Sequence, residues 1–365
     1  MNYQIGCFMR INSIDYLRGI LSLLIVFYHL RSWLLHDADS STMIGVFGVY
    51  GVSIFYLISG SALFLAHKAD SFSIRNLAIF YAKRFLRVAP VYWFSMLLVV
   101  IFAWTYYDIY RYDFWTTAVN ITLLFGFLDG GNYIVSGGWS IGNEMVYYLL
   151  FPLIIISLRN KLSLFIFIAI TITLFYYFSF HLLNAGFSLA SQWLTYINPL
   201  NNIIFFVTGI LVTKLFYNKI GNVKKYSIGL ILVSMSGFYF YPTIGDQIKI
   251  VTGLDRVFYT IMSILLFTGF FMIKQIKNKF IHGVLKLIGD LSYSIYLIHA
   301  VVFWYLIKAL NINKSIAANH FLFFSGAFII IVIVLAFLIH KYIEIPTFWL
   351  SRKLIADRDL SKMHN

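Results

Sequence analysis

Two ionisable side chains, Arg18 and His29, interrupt an apolar stretch that reads DYLRGILSLLIVFYHL. A neutral histidine can take a proton near neutral pH, and an arginine can bind an anion through its fork of N–H donors. Ionisable groups inside a membrane-spanning helix are costly, so they indicate a functional site. In the alternative interpretation, Arg18 pairs with Asp15 at i, i+3 and extends toward the membrane surface, while His29 only bonds a neighbouring helix.

Helical spacing places these two groups on the same face of their helix. Eleven residues rotate by about 1100°, roughly 20° past three full turns, so Arg18, Ser22 and His29 form one stripe. The axial separation between Arg18 and His29 is about 16 Å at 1.5 Å per residue. One helix can therefore present both groups to one cavity, at two depths.

The composition requires that this helix belongs to a membrane protein. Of 365 residues, 61% are hydrophobic and 12% are charged, whereas ordinary soluble domains have roughly 25% charged residues. Apolar stretches of about 20 residues recur along the whole chain, and the shorter apolar segment 114–128 is expected to be re-entrant or interfacial. The pattern predicts an all-α integral membrane protein with about ten transmembrane helices. These spans are predicted at about 14–35, 44–66, 88–107, 144–158, 162–180, 201–217, 226–242, 255–273, 288–308 and 320–341.

The distribution of basic residues predicts the orientation of these spans. If the N-terminus is inside, the cytoplasmic segments hold 21 lysines and arginines and the outer loops hold 6, with Arg256 counted among the outer ones. Cytoplasmic loops of membrane proteins carry such an excess. We therefore expect both termini in the cytoplasm, the loop at 67–87 on the inner side and the loop at 108–143 on the outer side. The N-terminus shows no cleavable signal, so the first apolar segment should remain as a helix.

The charge and the single cysteine exclude other classes of protein. The net charge of +14 is explained by membrane orientation rather than by nucleic-acid binding, because the basic residues lie in loops between helices and not in one block. Cys7 is the only cysteine, which excludes an intramolecular disulfide and a cysteine-based metal site. The histidines show no metalloprotease-type spacing. No bound metal is therefore expected.

Six segments, in order, resemble the acyltransferase-3 family of membrane acyltransferases. The first is an arginine followed eleven residues later by a histidine in the first span. The resemblance covers nearly the whole chain and implies acyl-CoA-dependent O-acylation of carbohydrates or related acceptors. The other five segments are GVYGVSIFYLISG (48–60), RFLRVAPVYW (84–93), GGWSIGNEMVYYLLFP (137–152), GDLSYSIYLIHA (289–300) and HKYIEIP (340–346).

The length of the chain resembles the stand-alone form of this family. Family members often carry a hydrolase-like domain after the last span, whereas this sequence ends shortly after it. We expect one acyltransferase-3-like transmembrane domain at 1–345 and a short cytoplasmic tail at 346–365.

A base and a carboxylate are the catalytic groups that this reaction implies. His29 is expected to take the proton from a sugar hydroxyl, and a carboxylate can orient an imidazole and stabilise its charged form. The chain has two glutamates. Glu144 is predicted to begin the fourth span at the outer surface near the level of His29, whereas Glu344 follows the last span on the inner side. We expect Glu144 to be the partner of His29 or to bind the acceptor; the alternative is a solvated carboxylate in an outer loop.

The donor end should be basic because CoA carries several phosphate charges, and arginine binds phosphate in a bidentate way that lysine cannot. Arg84 and Arg87 lie at the cytoplasmic entry to the third span, with Arg18 close by in depth. We expect these three residues to bind acetyl-CoA as co-substrate. In the alternative interpretation, the basic pair only sets membrane orientation or meets anionic lipid.

The acceptor is expected to contact Trp139, Ser140 and Asn143. Trp139 can stack on a sugar ring, although tryptophan is also common at membrane interfaces as an anchor. Gly142 and Asn143 depart from the pattern of the family, which leaves the identity of the acceptor open.

Four further residues are expected to be structural or of uncertain role. Tyr293 and His299 lie close to one face of the ninth span, where such a stripe serves packing more often than catalysis. Asp15 and Glu344 complete this group as the neighbour of Arg18 and the closing carboxylate.

The sequence thus predicts a multi-pass enzyme of the bacterial inner membrane. It would move an acyl group, acetyl from acetyl-CoA, onto a sugar hydroxyl of a surface polysaccharide such as an O-antigen or of its lipid-linked precursor. Direct attack and transfer through an acylated His29 both remain open. The competing class is a carrier that exports a glycan or small polar solute without chemistry, which the lack of internal repeats disfavours. The expected partners are acyl-CoA, the glycan acceptor and membrane lipids.

Overall fold

The computed structural model describes residues 11–37, 39–68, 70, 72–107, 112–220, 224–241, 243–273 and 275–350. Throughout these residues the fold is helical and contains no strand. The α-helices are α1 (Asn12–Leu34), α2 (Met43–His67), α3 (Ile74–Tyr107), α4 (Phe114–Ile121), α5 (Phe125–Leu128), α6 (Trp139–Ser157), α7 (Lys161–Tyr177), α8 (Trp193–Tyr196), α9 (Pro199–Phe216), α10 (Lys224–Phe240), α11 (Gly253–Met272), α12 (Lys279–Ala309), α13 (Lys314–Asn319) and α14 (Phe321–Ile339).

Nine helices within the described ranges are long and apolar enough to cross a membrane. The remaining predicted span, 226–242, is the seventh along the chain and corresponds to α10, which is shorter at 17 residues. The prediction of an all-α, multi-pass membrane protein is thus confirmed, while the orientation of its ends stays a prediction. The nine helical stretches are Asn12–Leu34, Met43–His67, Ile74–Tyr107, Trp139–Ser157, Lys161–Leu182, Pro199–Lys219, Gly253–Met272, Lys279–Ala309 and Phe321–Leu350.

The segment 114–128 forms two short helices, α4 and α5, instead of a span. Asp113 caps α4 by accepting a hydrogen bond from the backbone N–H of Thr116 at 2.7 Å. The indole of Trp93 on α3 donates to the carbonyl of Ile121 at 2.9 Å. α5 packs against α6, so this segment closes one end of the bundle over α3 and α6.

The helices that carry the candidate residues lie at the centre of the bundle. In their most apolar windows, α2 and α12 have 72% of residues buried, and α1 has 61%. The stretch Lys161–Leu182 has only 17% buried, which is what a helix facing lipid on most sides should show. α1 packs against both α2 and α12.

Glycines allow two of the central helix pairs to approach closely, as small residues do in membrane proteins. A Cβ atom on Gly19 of α1 would lie 2.8 Å from the backbone nitrogen of Gly289 on α12. On the other side of α2, a Cβ on Gly60 would lie 2.1 Å from a carbonyl oxygen of α9, and one on Gly209 of α9 would lie 2.0 Å from a carbonyl oxygen of α2. Backbone contact therefore fixes α1 against α12 and α2 against α9.

Three helix ends differ from the sequence predictions, and each difference moves a candidate residue into a helix. α3 begins at Ile74, so the basic segment predicted as a loop up to residue 87 is helical. α6 begins at Trp139, five residues before the predicted start. After α14, a π-helical turn spans His340–Glu344 and the helix continues to Leu350, across the expected domain boundary at 345.

Candidate active site

A cavity opens among α1, α2, α3, α6, α12 and the helical segment after α14. It encloses about 870 Å³ of empty space, part of which is open to solvent. Its charged lining consists of three arginines and two glutamates. Apolar side chains from α2, α3 and α6 complete the wall together with tyrosines and serines. The charged groups are Arg18, Arg84, Arg87, Glu144 and Glu344.

The three arginines reach the cavity from two helices. Arg18 projects from α1 and lies 3.7 Å from the Asp15 carboxylate, so it both pairs with its helix neighbour and lines the cavity. Arg84 on α3 hydrogen-bonds Nε2 of His67 at 3.2 Å, and the other ring nitrogen of His67 bonds the Asp70 carboxylate at 2.8 Å. Arg87 lies one turn further along α3 and is exposed. The cavity is thus open to solvent beside Arg87.

Both glutamates of the chain line the same cavity, which corrects the prediction that membrane depth separates them. Glu144 accepts a hydrogen bond from the Tyr148 hydroxyl at 2.9 Å. Glu344 accepts one from Nδ1 of His340 at 2.7 Å. The two carboxylates offset part of the charge of three arginines and leave a net positive lining, which favours an anionic ligand.

A tyrosine and a serine close the end of the cavity that faces His29. The hydroxyl groups of Tyr296 and Ser140 lie 3.0 Å apart, and each also bonds the carbonyl of Gly137, at 3.1 and 2.9 Å. Tyr293 donates to the carbonyl of Val88 at 2.7 Å and joins α12 to α3. These bonds hold α12 against α3 and the start of α6.

His29 lies beyond this closure, in a stack of aromatic rings. Its imidazole stacks on Trp33 at a centroid distance of 5.0 Å and on His299 at 5.2 Å. His299 is 1% exposed and directs Nδ1 to the carbonyl of Tyr296 at 2.7 Å. Its Nε2 has no hydrogen-bond partner in the described part of the molecule. Because Nδ1 carries the proton in this bond, Nε2 presents a free lone pair next to His29.

The structure does not bring Glu144 into contact with His29. The groups in ring contact with the His29 imidazole are Tyr28, Trp33 and His299. Glu144 instead lies with the arginines, because α6 starts before it and carries it more than one turn into the bundle. The depth of Glu144 in the membrane relative to His29 stays a prediction.

Of the three expected acceptor contacts, only Ser140 lines the cavity. Trp139 is 7% exposed and contacts the rings of Trp193 and Tyr196 at 5.8 and 5.7 Å. Asn143 is 2% exposed, and its Nδ2 has no hydrogen-bond partner among the residues described. Trp139 and Asn143 thus lie within the packed bundle at the same end as His29.

Two residues of this region were not identified from the sequence. Tyr148 lies four residues after Glu144, a spacing that places both on one helical face and could have revealed the pair. Arg256, counted as an outer-loop cation, is the fourth residue of α11 and only 2% exposed. Nothing in its sequence context signals this burial.

Metal ligation is not suggested by the site. No group of three or more histidine, cysteine, aspartate or glutamate residues able to hold a metal ion occurs in the ranges covered by the structure. The chemistry available comes from three guanidinium groups, two carboxylates, hydroxyl groups and a pair of stacked imidazoles.

The fold and the cavity together define a multi-pass helical membrane protein with an internal, positively lined binding site. A family model described as an acyltransferase domain, acyltransferase 3, matches residues 11–341. The chain therefore belongs to the acyltransferase 3 family and is a membrane acyltransferase, with an acyl donor and an acceptor as its substrates. No curated protein and no solved structure matches the chain.

Proposed function

We propose that this protein is an O-acetyltransferase of the bacterial inner membrane that moves acetyl from cytoplasmic acetyl-CoA to a sugar hydroxyl of a surface polysaccharide or its lipid-linked precursor. The observation that carries the proposal is the cavity that joins three arginines to the closure one helical turn from the His29 and His299 pair. In this proposal both termini lie in the cytoplasm.

The arginines support binding of the donor by its phosphates. Arg18, Arg84 and Arg87 line one cavity, which is accessible beside the exposed Arg87. A guanidinium group can bind a phosphate with two parallel hydrogen bonds. The bonded chain from Asp70 through His67 to Arg84 supports a fixed guanidinium rather than a freely moving one. Such preorganisation lowers the entropy lost on binding.

The distance along α1 matches a donor that is bound at one end and reacts at the other. Arg18 and His29 lie on the same continuous helix, about 16 Å apart along its axis. The flexible pantetheine arm of CoA would extend from the arginines past Ser140 and Tyr296. The thioester would then lie beside the imidazoles once the Tyr296 hydroxyl gives up its bonds to Ser140 and Gly137.

His29 is the proposed general base. It would take the proton of the acceptor hydroxyl as that oxygen attacks the thioester carbonyl. The C–S bond would then break, and the imidazolium would return the proton to sulfur, so that CoA leaves as the thiol. His299 stacks on His29, and its buried Nε2 has no hydrogen-bond partner among the described residues, so it supplies a second neutral imidazole beside the base. Glu144 is proposed to act from the cavity, where it holds Tyr148 and balances the arginines around the bound donor.

Acetyl-CoA binding to purified protein tests the donor site by calorimetry. Loss of one charge-assisted contact costs about 1.5–3 kcal/mol, so Arg18→Gln, Arg84→Gln and Arg87→Gln should each weaken binding about 10- to 150-fold. Lysine at these positions should restore only part of the affinity because it loses the bidentate geometry. Arg75→Gln is the matched control, since Arg75 is an exposed arginine on the same helix outside the cavity.

Two results would contradict the proposal. Unchanged binding in all three arginine variants would remove the donor site from this cavity. Tight acetyl-CoA binding without any release of CoA in the presence of glycan acceptor would favour a carrier that binds without chemistry.

A further inference from the structure

Arg256 is a buried cation in the outer half of the bundle, away from the donor cavity. It is 2% exposed, and its Nη2 donates to the carbonyl of Asn201 at 2.7 Å. The guanidinium lies over the ring of Phe175, 4.8 Å from the centroid. Its Nη1 has no hydrogen-bond partner in the residues that the structure describes.

Among the described residues, no negatively charged side chain pairs with Arg256. The ionisable side chains that interact with it are three tyrosines, Tyr50, Tyr147 and Tyr196, and no described carboxylate forms an ion pair with it. A buried charge without a partner is strongly unfavourable, and natural proteins pair such charges. The site around Arg256 therefore lacks a negative charge that would balance the guanidinium group.

A neutral polar group next to Arg256 is also without a partner. Asn201, whose carbonyl holds Arg256, is fully buried, and its Oδ1 has no hydrogen-bond partner among the described residues. Thr260 lies one helical turn further along α11 and is 6% exposed, with its hydroxyl beside that of Tyr50. Arg256 Nη1 and Asn201 Oδ1 thus leave one donor and one acceptor unbonded on α11 and α9, two helices in contact. These two atoms would bind a small group that carries both a negative oxygen and a hydroxyl.

The position of Arg256 relates this set to the acceptor. Arg256 lies at the start of α11, and Tyr196, which interacts with it, contacts the rings of Trp139 and Trp193 at 5.7 and 5.5 Å. α1 ends at the same side of the bundle, five residues after His29. Arg256 thus lies at the end of the bundle that holds His29, where the acceptor hydroxyl meets the base in the proposed function.

We infer that Arg256 binds a negatively charged group of the acceptor, so that the enzyme selects an anionic glycan. The charge can be a carboxylate on an acidic sugar or the phosphate that links a glycan to its carrier, since both offer oxygen atoms to one guanidinium. A neutral acceptor would leave the positive charge of Arg256 buried without a negative partner. A site built to bind a polar group rejects an analogue that lacks this group for the same reason. This inference rests on the proposed acyltransferase function and specifies its acceptor.

Binding of three small probes to purified protein saturated with CoA tests the inference. The probes are glucuronic acid, glucose 1-phosphate and glucose, and CoA occupies the arginines of the donor cavity during the measurement. The wild type should bind at least one of the anions about tenfold or more tightly than glucose, as expected for a charge-assisted contact. A preference for glucuronic acid indicates a carboxylate on the sugar, and a preference for glucose 1-phosphate indicates a phosphate.

Variants at one end of the bundle separate recognition from folding. Arg256→Gln should abolish the preference for the anion, and Arg256→Lys should keep part of it because the charge remains. Lys249 is an exposed cation seven residues before Arg256 in the chain, and Lys249→Gln should keep the wild-type preference. CoA affinity reports correct folding in every variant.

The inference is overturned if the wild type shows no preference for either anion, whether it binds all three probes or none. It is equally overturned if the preference survives in Arg256→Gln with normal CoA affinity. If Arg256→Gln does not fold, Arg256→Lys is the deciding variant. It keeps the charge but loses the bidentate geometry, so a folded Arg256→Lys protein should show a reduced preference for the anion. An unaltered preference or a complete loss of the preference would contradict the inference. Failure of the wild type to bind CoA would instead refute the proposed function itself.

Discussion

Replacing His29 by phenylalanine separates the chemistry of the imidazole from its packing. The ring of His29 makes two stacked contacts, with Trp33 and with His299. Each aromatic pair contributes about 0.5–1.5 kcal/mol beyond its buried area, so the two contacts together contribute about 1–3 kcal/mol. His29→Phe keeps these contacts, whereas His29→Ala loses them. Both variants lose the proposed base, and loss of a general base typically costs 10²- to 10⁴-fold in rate.

Transfer of labelled acetyl from acetyl-CoA to glycan, measured beside thermal unfolding in detergent, tests this prediction. His29→Phe should unfold close to the wild-type temperature and transfer at least about a hundredfold more slowly. His29→Ala should be equally slow and less stable by about 1–3 kcal/mol. Acetyl-CoA affinity should stay within about twofold of the wild type in both variants, since His29 lies beyond the phosphate site. Near-normal transfer by a folded His29→Phe protein would show that His29 is a packing residue.

Three further predictions test the site, the topology and the fold. Glu144→Gln removes a negative charge from the donor cavity, so acetyl-CoA binding in calorimetry should stay equal or tighten while transfer falls about tenfold or more; unchanged transfer would exclude a role for Glu144 in the reaction. In a cysteine-free background, Ser73→Cys should resist impermeant thiol reagents in intact cells and Ser188→Cys should react, and the reverse pattern would invert the topology. Gly19→Leu should cost about 1–3 kcal/mol or more by forcing α1 from α12, whereas Gly283→Leu on an open face of α12 should change the unfolding temperature little.

The fold could be predicted from the sequence because hydropathy signals the existence of each span. Hydropathy does not locate the helix ends, since a helix can continue beyond the membrane through charged residues. α3 shows this clearly, because its 34 residues are about 51 Å long and exceed the roughly 30 Å of a hydrocarbon core. The hydropathy pattern therefore predicts a loop at Arg84 and Arg87, whereas both residues belong to α3.

The candidate site could be predicted only as far as single helices allow. Arg18 and His29 share one helix, so their relation followed from helical geometry alone. The relation of Glu144 and Glu344 depends on the early start of α6 and on the π-helical turn after α14, neither of which has a reliable sequence signal. Such π-helical turns are frequent at functional sites. The burial of Arg256 could not be predicted, because counting charges in loops treats every cation near a loop as solvated.

The pairing of His29 with His299 arises from tertiary contact between α1 and α12. Gly19 and Gly289 permit this contact by bringing the two backbones together. A stripe of Tyr293, Tyr296 and His299 on one helix is compatible with packing and with a role in the site. The sequence alone does not distinguish these two interpretations. The Nε2 atom of His299 has no hydrogen-bond partner among the described residues, and only the assembled bundle reveals this.

Mass spectrometry of the surface glycan, with and without the gene, tests most directly that the protein acylates a glycan from acetyl-CoA. Deletion should lower the mass of each repeat by one acetyl substituent. Wild-type protein and Arg75→Gln should restore this mass, whereas His29→Phe and Arg84→Gln at equal expression should not. An identical glycan mass with and without the gene, or full restoration by His29→Phe, would contradict the account.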